Sequence, residues 1–186
     1  FNNLNLTASL MSEVSTSTET EPQLQPLSGE ALSRRSANAQ DDSRLDIRCR
    51  GFWQSGQDAF FDVRVFNPLA ASNRNATLGS VYRRHEQEKR REYDQRVREV
   101  EHGTFAPLVF AASGGMGPST TIAYKRLASL LASKRGHPYA TTMRWLRCRI
   151  SFSLLRSAVT AIRGTRPSAP TPTQPIPLAM AEGRIA

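Results

Sequence analysis

Residues 44–66, RLDIRCRGFWQSGQDAFFDVRVF, decide the fold. The stretch reads as two β-strands joined by a polar turn. In the first half Leu45, Ile47 and Cys49 alternate with polar neighbours; in the second, Phe60, Phe61, Val63, Val65 and Phe66 surround one acid. Period-2 patterning with aromatic and β-branched enrichment is the strand signal, and the connector QSGQD at 54–58 is turn chemistry. Each strand carries one carboxylate among apolar residues, Asp46 in Leu-Asp-Ile and Asp62 in Phe-Asp-Val. An unpaired carboxylate in an apolar setting is costly, so stability does not account for them. Neighbouring strands lie about 4.8 Å apart, and two acids side by side at that spacing form a cage for a hard, oxygen-seeking cation such as Mg²⁺ or Mn²⁺.

Toward the amino end, residues 4–14 predict a short amphipathic helix with Leu6, Leu10 and Val14 on one face and Glu13 beside it. Residues 15–22 are polar and uncommitted. Leu24 and Leu27 suggest a short strand, with Pro26 marking it as an edge, and residues 28–43 read as a loop or β-excursion.

Toward the carboxyl end, Asn67-Pro68 closes the second strand and residues 69–78 form a loop. Residues 79–101 predict a long charged helix, with Ser80 as its cap. At 3.6 residues per turn His85, Lys89, Tyr93, Val97 and Val100 share one stripe, which turns Lys89 inward. Residues 105–112, FAPLVFAA, predict a strand buried on both faces and central in its sheet. SGGMGP at 113–118 is a glycine-rich turn; it lacks the Gly-Lys-Ser/Thr of a nucleotide loop, so a strand-to-helix turn is the better account. A helix over 119–134 points Ile122, Leu127, Leu130 and Leu131 inward. Another over 139–162 carries a continuous stripe of Trp145, Cys148, Phe152, Leu155, Val159 and Ile162. From 166 the composition turns Pro/Ser/Thr-rich and predicts disorder. The order is helix, three strands, long helix, strand, helix, helix: one α/β domain over 1–165 with a tail over 166–186.

The 186 residues suffice for one domain. A start at Phe1 reads as a fragment of a longer frame or a processed piece. The net charge of +9 exceeds the magnitude of about 2–8 expected of a small domain and favours polyanionic partners, nucleic acid first. Cys49 and Cys148 are far apart and His85, His102 and His137 are scattered, which argues against a zinc site. Both thiols fall in apolar patterns and are expected to be buried, in a reducing, intracellular compartment. No apolar run reaches the roughly 20 residues of a membrane helix.

The acid on the second strand followed by Asp62-Val63-Arg64 on the third resembles the PD-(D/E)XK, or restriction-like, nuclease superfamily, whose core runs helix, three-stranded meander, helix, strand and whose motif is an acid followed by Asp/Glu-x-Lys. LDIRCRGFW, AFFDVRVFNP, EKRREY, FAPLVFAASGGMG and LRCRISFSLLRSAVTAIRG are also similar to segments of retroelement-associated reading frames that carry a reverse transcriptase. The resemblance implies a restriction-endonuclease-like core with two further C-terminal helices, and a Mg²⁺- or Mn²⁺-dependent DNA endonuclease. Asp46, Asp62 and the Val63 carbonyl would bind the metal, with Arg64 or Lys89 on the scissile phosphate. Arg64 stands where the superfamily has Lys, and Arg stays charged rather than exchanging a proton. Lys89-Arg90-Arg91-Glu92-Tyr93 fits the pattern in which a residue of the next helix takes over, four places before a Tyr. It further implies DNA as partner, a reverse transcriptase domain in the same longer chain and a nuclear location.

Glu13 is a candidate third acid. Arg48 and Arg50 on the first strand, and Arg144, Arg147 and Arg156 on the last helix, are candidate phosphate contacts. Trp53 either stacks on a base or packs, packing being the simpler account. Two other readings stand beside the enzyme: a nucleic-acid-binding domain of the same fold with a decayed site, and an interaction domain whose acids are structural, capping turns or pairing with Arg44, Arg48 or Arg64.

Overall fold

The structure is a computed structural model and describes residues 2–25 and 44–163. The expected edge strand beyond Gln25, the 28–43 loop and the 166–186 tail lie outside these residues.

The central hairpin forms as its pattern demands. Strand β2 (Ile47–Arg50) pairs antiparallel with β3 (Asp58–Phe66), with Ile47 opposite Phe61 and Cys49 opposite Ala59. Strand β1 (Ser17–Thr20) pairs antiparallel with β2, and β4 (Thr104–Ala111) lies parallel to β3, giving a mixed sheet in the order β1-β2-β3-β4. The parallel pair needs a crossover, and the long helix α2 (Leu78–Glu99) supplies it. Helix α1 (Asn2–Ser12) precedes the sheet; α3 (Pro118–Arg135) and α4 (Tyr139–Arg163) follow it. The described residues form an α/β fold with a four-stranded mixed sheet and four α-helices.

Side-chain alternation sends the two halves of each strand to different layers. Ile47, Cys49, Ala59, Phe61, Ala106, Leu108 and Phe110 pack with Leu10 and Met11 of α1, Tyr124, Leu127 and Leu131 of α3, and Leu146, Ile150 and Leu154 of α4. On the opposite face, Phe60 and Phe105 meet Tyr93 and Val97 of α2, and Phe66 and Val109 meet Val81 and Tyr82. Among the described residues α2 is the helix on one face, with Leu24 packed beside it, and α1, α3 and α4 lie on the other.

Several expectations are corrected. The first strand is β1, in the polar stretch left uncommitted; Gln23 makes only an isolated bridge to Arg44, although Leu24 is buried beside it. In α1 the buried positions are Asn3, Thr7, Ala8, Leu10 and Met11 rather than the Leu6/Val14 stripe, and Thr7 bonds the Tyr124 hydroxyl at 2.7 Å. The N-cap of α2 is Thr77, whose hydroxyl accepts from Ser80 N. Strand β4 is the last strand of the sheet, not a central one. Its apolar character on both faces comes from helices on both faces, and its outer edge is closed locally: Thr120 Oγ1 accepts from Val109 N, Gly117 N donates to Val109 O and Ala111 N donates to Gly115 O. A covered edge does not template further pairing. Ile122 points outward in α3. In α4 the buried stripe is Leu146, Ile150 and Leu154, while Cys148, Phe152, Leu155 and Val159 are exposed; the side chain of Ile162 is outside the description. Cys49 alone of the two thiols is buried. No helix among the described residues is long and apolar enough to cross a membrane.

Candidate functional site

The β2–β3 register places position 46 opposite position 62, one pair beyond Ile47 and Phe61. The ladder continues for one bond, Asp46 N to Phe61 O at 3.1 Å. The next rung is made by a side chain: Val63 N donates to Asp46 Oδ2 at 2.6 Å. Asp46 therefore ends strand pairing, and its carboxylate stands beside Asp62 on the face that α2 covers. Alternation dictates this, because residues 60, 62, 64 and 66 share that face.

Lys89 reaches this pair from α2. Its Nζ lies 3.2 Å from Asp62 Oδ1 and 3.4 Å from Glu92 Oε2, and sits 5.1 Å from the centroid of the Tyr93 ring. The Asp62 side chain is 10% exposed and that of Lys89 19%, so the contact is largely withdrawn from solvent. Burial pushes both aspartates above the ordinary carboxylate value. For Asp46 the Val63 N–H and then the Lys89 charge oppose that; for Asp62 the Lys89 charge opposes it while Asp46 adds to it. Burial, and then Glu92, also push the Tyr93 hydroxyl up, keeping it protonated.

The other expected residues are elsewhere. Arg64 is on the same face but binds Glu88 of α2 at 2.9 Å, in a group that includes His85 Nδ1 at 3.4 Å from the same oxygen. Arg48 binds Asp58 at 2.8 Å and lies 5.7 Å over the Phe60 ring. Arg50 is exposed at the far end of β2, opposite Asp58. Arg144, Arg147 and Arg156 are exposed on α4, across the sheet from the aspartates. Glu13 is removed from the site: it lies across the sheet in a bidentate pair with Arg135 at 2.7–2.8 Å. Trp53 packs edge-on against Phe52, and Arg126 binds the carbonyls of both.

Two acids that the sequence reading did not single out are placed by the fold. Glu92 shares Lys89 with Asp62, and its spacing of three residues from Lys89 was the available signal. Glu86 is buried at the amino end of α3, where Oε1 accepts from Ser119 N at 2.9 Å and Oε2 from Ser119 Oγ at 3.1 Å. The glycine-rich turn thus leads into a helix end already satisfied by a carboxylate. A Cβ at Gly117 would stand 2.5 Å from Glu86 Oε1, which explains the glycine.

As for metals, no three His, Cys, Asp or Glu side chains converge as a ligand set among the described residues. What the site offers is two largely buried carboxylates, a more exposed third on Glu92, the backbone at Val63, one ammonium and one phenol. Such a group can bind a divalent ion that keeps part of its water shell and can hold an anion against Lys89. Compared with known proteins, the chain matches no family model and no curated protein.

Proposed function

We propose that the chain is a metal-dependent DNA endonuclease of restriction-like fold, a module of a retroelement-type protein that acts in the nucleus beside a reverse transcriptase domain. The observation carrying this reading is the meeting of Asp46 and Asp62 on one sheet face with Lys89 against them. The element order, helix, three antiparallel strands, helix, parallel strand, supports it as well.

The residues fit a Mg²⁺ or Mn²⁺ ion. Burial leaves both carboxylates short of solvation, and the Asp46 charge raises the proton affinity of Asp62; a divalent cation relieves both penalties. Asp46, Asp62 and the Val63 carbonyl would hold it, with water completing the shell. When bound, such an ion supplies Lewis-acid stabilisation of the phosphoryl oxygens and a more acidic water.

The chain's own groups do the rest. The Lys89 ammonium, set by Asp62, Glu92 and the Tyr93 ring, aligns a phosphate oxygen and neutralises its charge. Arg64, paired with Glu88, lends positive charge at the margin. Nicking of supercoiled plasmid in Mg²⁺ or Mn²⁺ tests the proposal. Activity should fall about a thousandfold in Asp62→Asn, on the scale of the several kcal/mol assigned to metal catalysis. Nicking undiminished in that variant sinks it.

One observation favours a second reading, a nucleic-acid-binding domain with a decayed site: Arg64, at the position where the resemblance implies Lys, is engaged by Glu88. Salt-sensitive DNA binding without metal-dependent cleavage selects that reading.

A further inference from the structure

Helix α4 is apolar on two sides. Leu146, Ile150 and Leu154 enter the core, while Cys148, Phe152, Leu155 and Val159, spaced four, three and four apart, form a second stripe on the outer surface. Phe152 is 72% exposed, Leu155 59% and Val159 39%. A helix packed along one face only is expected to be polar on the other, so the packing of the described residues does not account for this stripe. It borders a groove of about 770 Å³ that, among the described residues, is also lined by Leu6 of α1, Arg149 and Arg156.

The segment that carries this stripe is one-sided in charge. Between His102 and Ala181 the sequence has no Asp or Glu, against ten Lys and Arg. Fifteen of the sixteen acids precede His102, where they nearly balance fourteen basic residues. The whole positive excess therefore belongs to the part of the chain that builds α3 and α4 and follows them. Like charge disfavours pairing of this surface with itself. The apolar lining does not suit a phosphate backbone, and a concave groove receives protruding side chains better than a flat bilayer does.

We propose that this groove docks an acidic amphipathic helix of a partner protein, whose apolar residues enter beside Phe152, Leu155 and Val159 and whose carboxylates meet Arg149 and Arg156. This is the helix-in-groove mode of recognition, with arginine supplying bidentate carboxylate contacts at the rim. The surface lies across the sheet from Asp46 and Asp62, and the inference does not rest on the nuclease reading.

The test uses the full chain and a fluorescein-labelled peptide of about 18 residues, helical, with a leucine stripe flanked by glutamate. The acidic peptide should bind saturably and weaken as salt rises from about 0.05 to about 0.3 M. A permuted peptide of equal composition and a lysine-flanked version should not bind. Leu155→Asp, and separately Arg149→Glu with Arg156→Glu, should each weaken binding about tenfold, the scale of losing an interface anchor. These side chains are outside the core, so circular dichroism and the melting temperature should match the wild type. Saturating peptide should also slow modification of Cys148 by a thiol reagent about fivefold or more, on the scale of a site mostly occupied; Cys49 is buried and does not compete. Equal binding of the permuted peptide, undiminished binding by both variants, or binding only to phosphatidylserine vesicles or duplex DNA would overturn the proposal. So would a dimer dissolved by Leu155→Asp, or peptide binding that appears only after residues 166–186 are removed, since the occupant would then be a second copy or the chain's own C-terminal segment.

Discussion

Asp46 has two functions that conflict energetically. Its carboxylate ends the β2–β3 ladder by accepting from Val63 N at 2.6 Å, and it does so in a setting that resists ionisation. A carboxyl whose folded value is raised holds its proton more tightly folded than unfolded. Stability therefore falls as pH rises from the ordinary carboxylate range through the raised folded value. Asp46→Asn, which keeps an oxygen acceptor for Val63, should melt higher than the wild type at pH 7.5, and the difference should close in acid below the ordinary carboxylate range. Thermal melts across pH check this. Lys89→Met works in the opposite direction, leaving two buried carboxylates without their cation. It should cost about 1–3 kcal/mol at neutral pH, less than a fully buried pair because both side chains retain some solvent, and acid should restore much of the loss. Millimolar Mg²⁺ should raise the melting temperature of the wild type. At a free concentration about a hundredfold over Kd the gain is about 2.7 kcal/mol, and it should be absent in Asp46→Asn.

At the scale of elements, the junction of α2 with α3 depends on one buried acid. Glu86 satisfies Ser119 N at the start of α3, where unpaired N–H groups and the helix dipole favour an anion. Gly117 provides the room. Glu86→Ala should destabilise the fold by about 1–3 kcal/mol, the cost of leaving a buried donor unsatisfied, measured by denaturant unfolding. Gly117→Ala should also destabilise, because its methyl would displace the same carboxylate. The strand-to-helix turn is thus built for packing, and Gly117 is explained without a bound phosphate.

Over the whole molecule, chemistry and charge lie on different faces. Asp46, Asp62 and Lys89 are under α2, whereas the arginine-rich layer, in which Glu13 is paired with Arg135, is across the sheet. On the nuclease reading, charge reversal at Arg144 and Arg147 should reduce non-specific DNA affinity and flatten its salt dependence. The single-turnover nicking rate at saturating DNA should stay within about twofold of wild type, since no interaction confined to the transition state is removed. A gel-shift series across salt together with single-turnover nicking measures both.

The sequence by itself determined the hairpin, the order of elements from β2 onward and the inward turn of Lys89 and Tyr93. Those features follow from local periodicity, since alternation over 44–66 fixes which residues share a face and a helical stripe needs no knowledge of its neighbours. It did not determine what each apolar stripe would meet. Two stripes compete along α4, and the one with the cleaner spacing in sequence is the one facing water, because contact with α1 and α3 selected Leu146, Ile150 and Leu154 instead. β1 was unreadable for a related reason: its four residues are polar and its burial pattern is mostly exposed, so backbone pairing with β2 defines it and no side-chain signal does. The partners of the charged residues were also beyond local reading. Asp62 with Lys89, Arg64 with Glu88, Glu13 with Arg135 and Glu86 with Ser119 join residues 24 to 122 positions apart, and only the packing of α2 and α3 against the two faces of the sheet decides which charges meet.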